Sequence, residues 1–256
     1  MHKDIQIVRD LQQRLQTHAS EKTKKWFEDY LKGVIPYRGL KTPLVLKVLK
    51  QWVRAHELPQ TRTTAQLTQL SLGLLREEHA EDKFAGILLL QHWCVPDTAL
   101  DWCWLLEQLA QCFDDGAIYD WSTCDWLCMR VLRGLIRVHG KPCAEAIAGW
   151  CHASNLWRRR ASGVAFVGLS KETDAHFEGF FDLVLDVCAH TIASDERFAQ
   201  TGTGWVLRDL GASQPDRMLA FVREHLAQFN REGLRYALEK TPKATRAELL
   251  AQHKAL

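Results

Sequence analysis

Three short segments of this chain pair a tryptophan with a charged residue one helical turn further on: Trp121 with Asp125, Trp157 with Arg160, and Trp205 with Arg208. In a helix, steps of three and four residues put both members of each pair on one face. An indole face attracts cations, a guanidinium suits a phosphate, and a carboxylate stabilises positive charge that develops beside it. The separations are 36 residues from Trp121 to Trp157 and 48 from Trp157 to Trp205, each near one helix pair of a helical repeat. The spacing therefore predicts three faces on the same side of a stack, each with its tryptophan near a helix start. That side would be a groove lined with indoles, with the arginines Arg158, Arg159, Arg160 and Arg208, and with one carboxylate. Helix N-termini there would add unpaired backbone amides for phosphate oxygens. Taken singly, each tryptophan serves equally well as core and each arginine as a solvated charge; recurrence in phase is what favours a groove.

The elements that must position these residues are helices. Apolar residues return at three- and four-residue steps rather than alternating as in a half-buried strand. Val45, Val48, Leu49, Trp52 and Val53 make one stripe, and Cys124, Leu127, Cys128, Val131 and Leu135 a second. Phe177, Phe180, Phe181, Val184 and Cys188 make a third, and Met218, Val222, Leu226 and Phe229 a fourth. Each would bury one helix face. The seven prolines fall between stripes or in first turns, where a missing amide hydrogen costs nothing; Thr42-Pro43 and Gln214-Pro215 read as helix starts. Stripes and breaks predict about twelve to fourteen helices with short loops and no linker, hence one all-α domain over residues 1–256. Antiparallel helix pairs of about 40 residues are the unit of curved HEAT-like solenoids.

The composition, 46% apolar and 25% charged over 256 residues, is that of a folded soluble protein. The first ten residues are too polar for a signal peptide and no stretch is long and apolar enough for a span, so a cytoplasmic location without membrane association is expected. The eight cysteines, from Cys94 to Cys188, form no CxxC pair and are expected to be reduced. Cys124 and Cys128 could be imagined as metal ligands with His139 and Cys143, but the spacing matches no zinc pattern. As small hydrophobes they fit beside Leu127, Val131 and Leu132. No metal or cofactor is expected. His176 and His190 read as isolated surface or capping residues. A Walker loop, GxSxG elbow, HExxH and strand-borne GxGxxG are all missing.

The formal charge of +2 hides a segregation. Lys plus Arg against Asp plus Glu runs 13 to 6 in residues 1–62, 3 to 11 in residues 63–130 and 17 to 14 in residues 131–256. Basic ends could hold a polyanion at its flanks, although a solvated surface explains the same counts.

Several segments resemble the DNA alkylation repair glycosylases of the HEAT-like-repeat, AlkD family. IYDWSTCDW is similar to that family's Trp-x-x-x-Asp segment and SNLWRRRAS to its Trp-x-x-Arg segment. FAQTGTGWVLRDLGASQPD resembles its Gly-Trp-Val-Leu-Arg helix, and YLKGVIPYRGLKTP the stretch leading into Gly-x-x-Thr-Pro. The likeness runs in order over about residues 20–240. It implies Asp125 as the catalytic carboxylate, Trp121 and Trp205 as indoles flanking the lesion, Arg160 as a backbone contact and Tyr30 as a lesion-proximal tyrosine. Trp157, Arg158, Arg159 and Arg208 join the DNA-binding set. The implied activity is excision of cationic N3- or N7-alkylated purines from double-stranded DNA by a monomer. It implies an open concave surface rather than the enclosed pocket of most base-flipping enzymes. The chain departs from the pattern where Asp114, Asp115 and Asp120 crowd the catalytic segment and where three arginines run together. Two other readings compete: a catalytically weak relative that binds DNA structure, and a helical-repeat scaffold for a protein partner.

Overall fold

The computed structural model describes the chain from His2 to Leu256, with side chains from Ile5 onward. The described residues are all-α, without a strand, and divide into two compact units, Met1–Val131 and Leu132–Leu256. The first unit holds α1 (His2–Thr17), α2 (Glu21–Leu31), α3 (Thr42–Ala55), the single turn α4 (Leu58–Thr61), α5 (Thr64–Leu75), α6 (Ala80–Leu89), α7 (Trp102–Asp114) and α8 (Trp121–Leu127). Both α6 and α8 run on into a π-helical turn, Leu90–Cys94 and Cys128–Leu132. The second unit holds α9 (Arg133–Ala148), α10 (Leu156–Val164), α11 (Phe180–Ile192), α12 (Arg197–Ser213), α13 (Pro215–Glu224), α14 (Arg231–Ala237) and α15 (Lys243–Ala255). Leaving aside the single turn α4, these are fourteen helices among the described residues, within the predicted range.

Inside each unit the packing is that of a repeat. In the first, α3 packs on α1 and α6, α5 on α6 and α7, and α6 on α8. In the second, α10 packs on α11 and α12, and α12 on α13 and α14. Helices thus meet chain neighbours and the equivalent helix of the next pair, as solenoid repeats do.

The predicted stripes form these interfaces. All five apolar residues of the first stripe are the buried face of α3, and the Trp52 indole N–H donates to the Ile7 carbonyl at 3.1 Å, fixing α3 to α1. The Cys124 to Leu135 stripe is fully buried. Two stripes are shorter than predicted. Gly179 takes a left-handed φ of 81° and starts α11 at Phe180, which leaves Phe177 half-buried outside it. α13 ends at Glu224, and Leu226 lies in a 3-10 turn.

Pro43, Pro59 and Pro215 occupy first turns. Pro142 lies within α9, two residues after Gly140, whose φ of 64° and ψ of −143° break the helix. It therefore opens the second half of α9, where no amide hydrogen is missed. The cysteines are buried except Cys103, and burial pushes the Cys188 thiol well above its usual range. Among the described residues no three His, Cys, Asp or Glu side chains are grouped to hold a metal ion.

Candidate functional site

The helix bearing Trp121 and Asp125 is fixed at its first turn. Asp120, the N-cap of α8, accepts hydrogen bonds from the amides of Ser122 at 2.8 Å and Thr123 at 3.0 Å and from the Thr123 hydroxyl. Burial raises the Asp120 carboxyl above its ordinary range, while the Thr123 and amide hydrogen bonds and the Lys83 charge pull it back. Asn155 does the same for α10, accepting from the amides of Trp157 at 2.9 Å and Arg158 at 3.0 Å. The amides expected to await phosphate at these helix starts are thus already taken by the protein's own caps. Of the acids that crowd this segment, Asp120 is spent inside, and Asp114 and Asp115 are exposed.

Behind α8 lies a buried charged run at the start of α6, which the reading of the sequence did not single out. Ala80, Glu81, Asp82 and Lys83 are all buried. Lys83 Nζ donates to the carbonyls of Leu75 and Ala117, both at 2.9 Å, and sits 5.6 Å from the centre of the Tyr119 ring. Burial lowers the Lys83 pKa against the pull of Asp120 and Asp82. Glu81 Oε1 accepts from the amides of Gly39 at 2.8 Å and Leu40 at 2.9 Å, and Oε2 from that of Arg38 at 2.9 Å. Asp82 pairs with the Arg38 guanidinium at 2.7 Å.

This run ties down both segments that carry the site. The loop after α2 is held by Glu81, and Gly39 in it has a φ of 112°, with a Cβ there meeting the Ser20 carbonyl at 2.3 Å. Only glycine fits. From the same loop the buried Tyr37 lies beside the Ser122 side chain of α8, and burial pushes its phenol well above the usual range. The available signal was the three charges of Glu81, Asp82 and Lys83 directly ahead of the uniformly apolar Phe84–Leu90, which has no polar face on which to place them.

On this frame the first unit brings Tyr30 and Trp121 together. The Tyr30 ring meets the half-buried Trp121 edge-on with centroids 5.4 Å apart. Trp26, one turn before Tyr30, stacks on it at 5.3 Å and 13°. Asp125, one turn beyond Trp121, is 8% exposed.

In the second unit Trp157 lies half-buried on α10, 5.0 Å from the Phe198 ring of α12. Arg160 is buried and donates to the Phe198 carbonyl at 2.7 Å and the Thr201 hydroxyl at 3.3 Å, joining α10 to α12. Arg159 donates to the carbonyls of Ala153 at 2.6 Å and Ser154 at 2.8 Å and pairs with Glu196. Arg158 is half-buried. Trp205 sits in the middle of α12, not near its start as predicted. The Arg208 guanidinium lies 5.8 Å from the centre of its ring and pairs with Glu239 at 2.6 Å. Gly204, beside Trp205, faces α14 so closely that a Cβ would meet the Gly233 carbonyl at 2.4 Å.

Residues 11–241 match the family described as DNA alkylation repair enzyme. The chain belongs to that family. A similar solved structure is the predicted DNA alkylation repair enzyme from Enterococcus faecalis, 17% identical, with a TM-score of 0.72 over 88% of this chain and 97% of that one. At that identity the likeness speaks for the shared all-α fold. No curated protein matches this alkylation repair family member. None of its described helices is long and apolar enough to cross a membrane.

Proposed function

We propose that this alkylation repair family member is a DNA N-glycosylase that hydrolyses the glycosidic bond of purines alkylated at N3 or N7 in double-stranded DNA. The observation that supports it best is the pairing on α8 of a half-buried indole, Trp121, with a nearly buried carboxylate one turn on, Asp125, beside the Tyr30 ring. An alkylated purine of this kind is a cation and departs with the bonding electrons as a neutral base, so no general acid is needed. What remains is positive charge on the sugar. A carboxylate stabilises it and orients the water that adds to the anomeric carbon and then loses a proton. The rings of Trp121 and Tyr30 attract the cationic base before cleavage.

In the second unit Trp205 offers a further indole for the cationic base, and the Arg208 guanidinium beside its ring suits a phosphate. Trp157, Arg158 and Arg159 on α10 and Arg208 on α12 are assigned to the sugar-phosphate backbone, where contacts position without reading sequence. Arg160 holds α10 against α12 and adds its charge to that surface. The chain acts as one repair domain, as a monomer, on cytoplasmic DNA.

Incubation of purified protein with methylated duplex DNA, followed by chromatography of freed bases, tests this reading. Methylated purines are released, at a rate unchanged by chelator, because a carboxylate, indoles and water suffice. DNA binding without release sinks the glycosylase assignment, and activity lost to chelator and restored by zinc or magnesium sinks the mechanism.

A further inference from the structure

The excision chemistry uses Tyr30 but leaves unused the ring stacked on it, that of Trp26. On α2, Trp26 is 59% exposed and Tyr30 58%, with their rings stacked. Large apolar side chains held together in water mark binding surfaces. Tyr30 is occupied on one side by Trp26 and at its edge by Trp121. Trp26, met nearly at right angles by the Phe27 ring at 4.8 Å, is the outer member of the stack and keeps more than half its surface exposed.

The charges of α2 are mixed, Glu21, Glu28 and Asp29 among Lys22, Lys24 and Lys25, and the cation on the ring's own row is Lys22. Lys22 precedes Trp26 by one turn on the same row, since α2 rises about 6 Å over four residues. Lys25 is paired with Asp29 at 3.0 Å, whereas Lys22 and Lys32 have no ion-pair partner among the described residues. Trp26, Tyr30 and Val34 are the exposed large apolar residues of this segment, and the flat face that the stacked rings leave outward is that of Trp26. A protein helix needs a broader apolar stripe. A flat ring with a cation one turn away matches a nucleobase and its phosphate, since every base has a face to stack and stacking is indifferent to sequence.

We propose that Trp26, backed by Tyr30, is a stacking platform for an unpaired nucleobase displaced from the duplex, with Lys22 on an adjacent phosphate. This rests on the reading of the protein as a DNA enzyme but not on cleavage of the glycosidic bond. It makes Trp26 a determinant of affinity for distorted DNA, a role separate from that of Trp121 and Asp125.

The probe is an unmethylated duplex carrying one bulged aminopurine, a fluorescent base quenched when it stacks on an indole. The wild-type protein quenches it and binds the bulged duplex more tightly than the fully paired one. Trp26→Ala loses the quenching and lowers affinity for the bulged duplex about 5- to 100-fold, the range that base stacking supplies, while Trp26→Phe retains most of the preference. Equal quenching by wild type and Trp26→Ala overturns the platform. So does a change in oligomeric state on Trp26→Ala with quenching intact, which identifies the patch as a contact between copies. Methylated-base release is assayed in parallel. Quenching that depends on Trp26 without base release leaves the platform standing and removes the glycosylase reading; release without such quenching does the reverse.

Discussion

Asp125 and Trp121 lie at different depths of the same helix, and the proposed mechanism uses that difference. The indole is reachable from solvent while the carboxylate one turn further is nearly covered, so on the proposed mechanism an arriving base would meet the indole first and its sugar would come to the carboxylate. Asp125→Asn keeps the size and hydrogen-bonding of the side chain and removes its charge. Release of methylated purines is expected to slow about 100- to 1000-fold, with DNA affinity equal or slightly tighter because a carboxylate repels phosphates before the sugar becomes cationic. Single-turnover release and anisotropy binding, on a variant shown to keep its helical signal, check both parts. If Asp125 only packs its helix, release stays at the wild-type rate and stability moves by less than about 2 kcal/mol. The Trp121 to Asp125 pairing was legible because a step of four residues fixes a shared helix face whatever the fold. Trp26 was not, because a tryptophan's exposure depends on what the rest of the chain places over it.

At the scale of elements, the position of α8 depends on α6. Lys83→Met would leave the Leu75 and Ala117 carbonyls unpaired and remove a cation that attracts the buried Asp120, a loss of about 2 to 5 kcal/mol, chiefly for two buried acceptors left unsatisfied. The sign of its pH dependence follows from Asp120. A carboxyl raised by burial favours the fold below its ordinary value of 3.8, and that contribution is lost as pH rises through the raised value. Without Lys83 it rises further, so the variant should lie closest to wild type near about pH 4 and fall progressively below it towards neutrality. Urea midpoints across that range decide it; a destabilisation that is flat with pH would show that Lys83 acts only through its carbonyl bonds. In the second unit Gly204→Ala places a methyl against the Gly233 carbonyl and should cost about 1 to 3 kcal/mol by forcing α12 from α14, read as a lower Tm. The apolar stripes of α3 and α8 were legible because burial of a helix face repeats with the helical period. The start of α6 was not, since Glu81, Asp82 and Lys83 stand where periodicity would place apolar residues and find their partners in distant segments, the amides of Arg38, Gly39 and Leu40, the Arg38 guanidinium and the Leu75 and Ala117 carbonyls. The caps Asp120 and Asn155 were of the right type for their positions, yet only the structure shows that they consume the amides a phosphate would need.

Charge at the scale of the whole molecule is distributed differently from the bare counts. Of the eleven acids in residues 63–130, Glu81, Asp82, Asp120 and Asp125 are buried, so the surface of that segment opposes a polyanion less than its sequence suggests. In the second unit the reverse holds, because arginines are engaged by carboxylates of neighbouring helices: Arg159 by Glu196, Arg197 by Glu232, Arg208 by Glu239 and Arg217 by Asp182. On the proposed assignment of Arg208 to a phosphate, DNA binding is an exchange of Glu239 for that phosphate. Glu239 is exposed, so removing its charge should cost little stability, yet it should release the guanidinium. Glu239→Gln is expected to bind duplex DNA more tightly than wild type, without sequence preference, and to steepen the fall of log affinity with log salt by up to about 0.9, the value of one additional phosphate contact. The hydrogen bond from Arg208 holds the Glu239 carboxyl below its ordinary value of 4.5. Neutralisation of Glu239 thus begins only as pH falls below that value, where the wild type should gain affinity relative to Glu239→Gln and the difference between them should close. Anisotropy titrations of both proteins over a series of salt concentrations at neutral pH measure the affinity and the slope together. An unchanged affinity and slope in Glu239→Gln would mean that Arg208 meets no phosphate, and would leave the Trp205 and Arg208 pair as a feature of α12 alone.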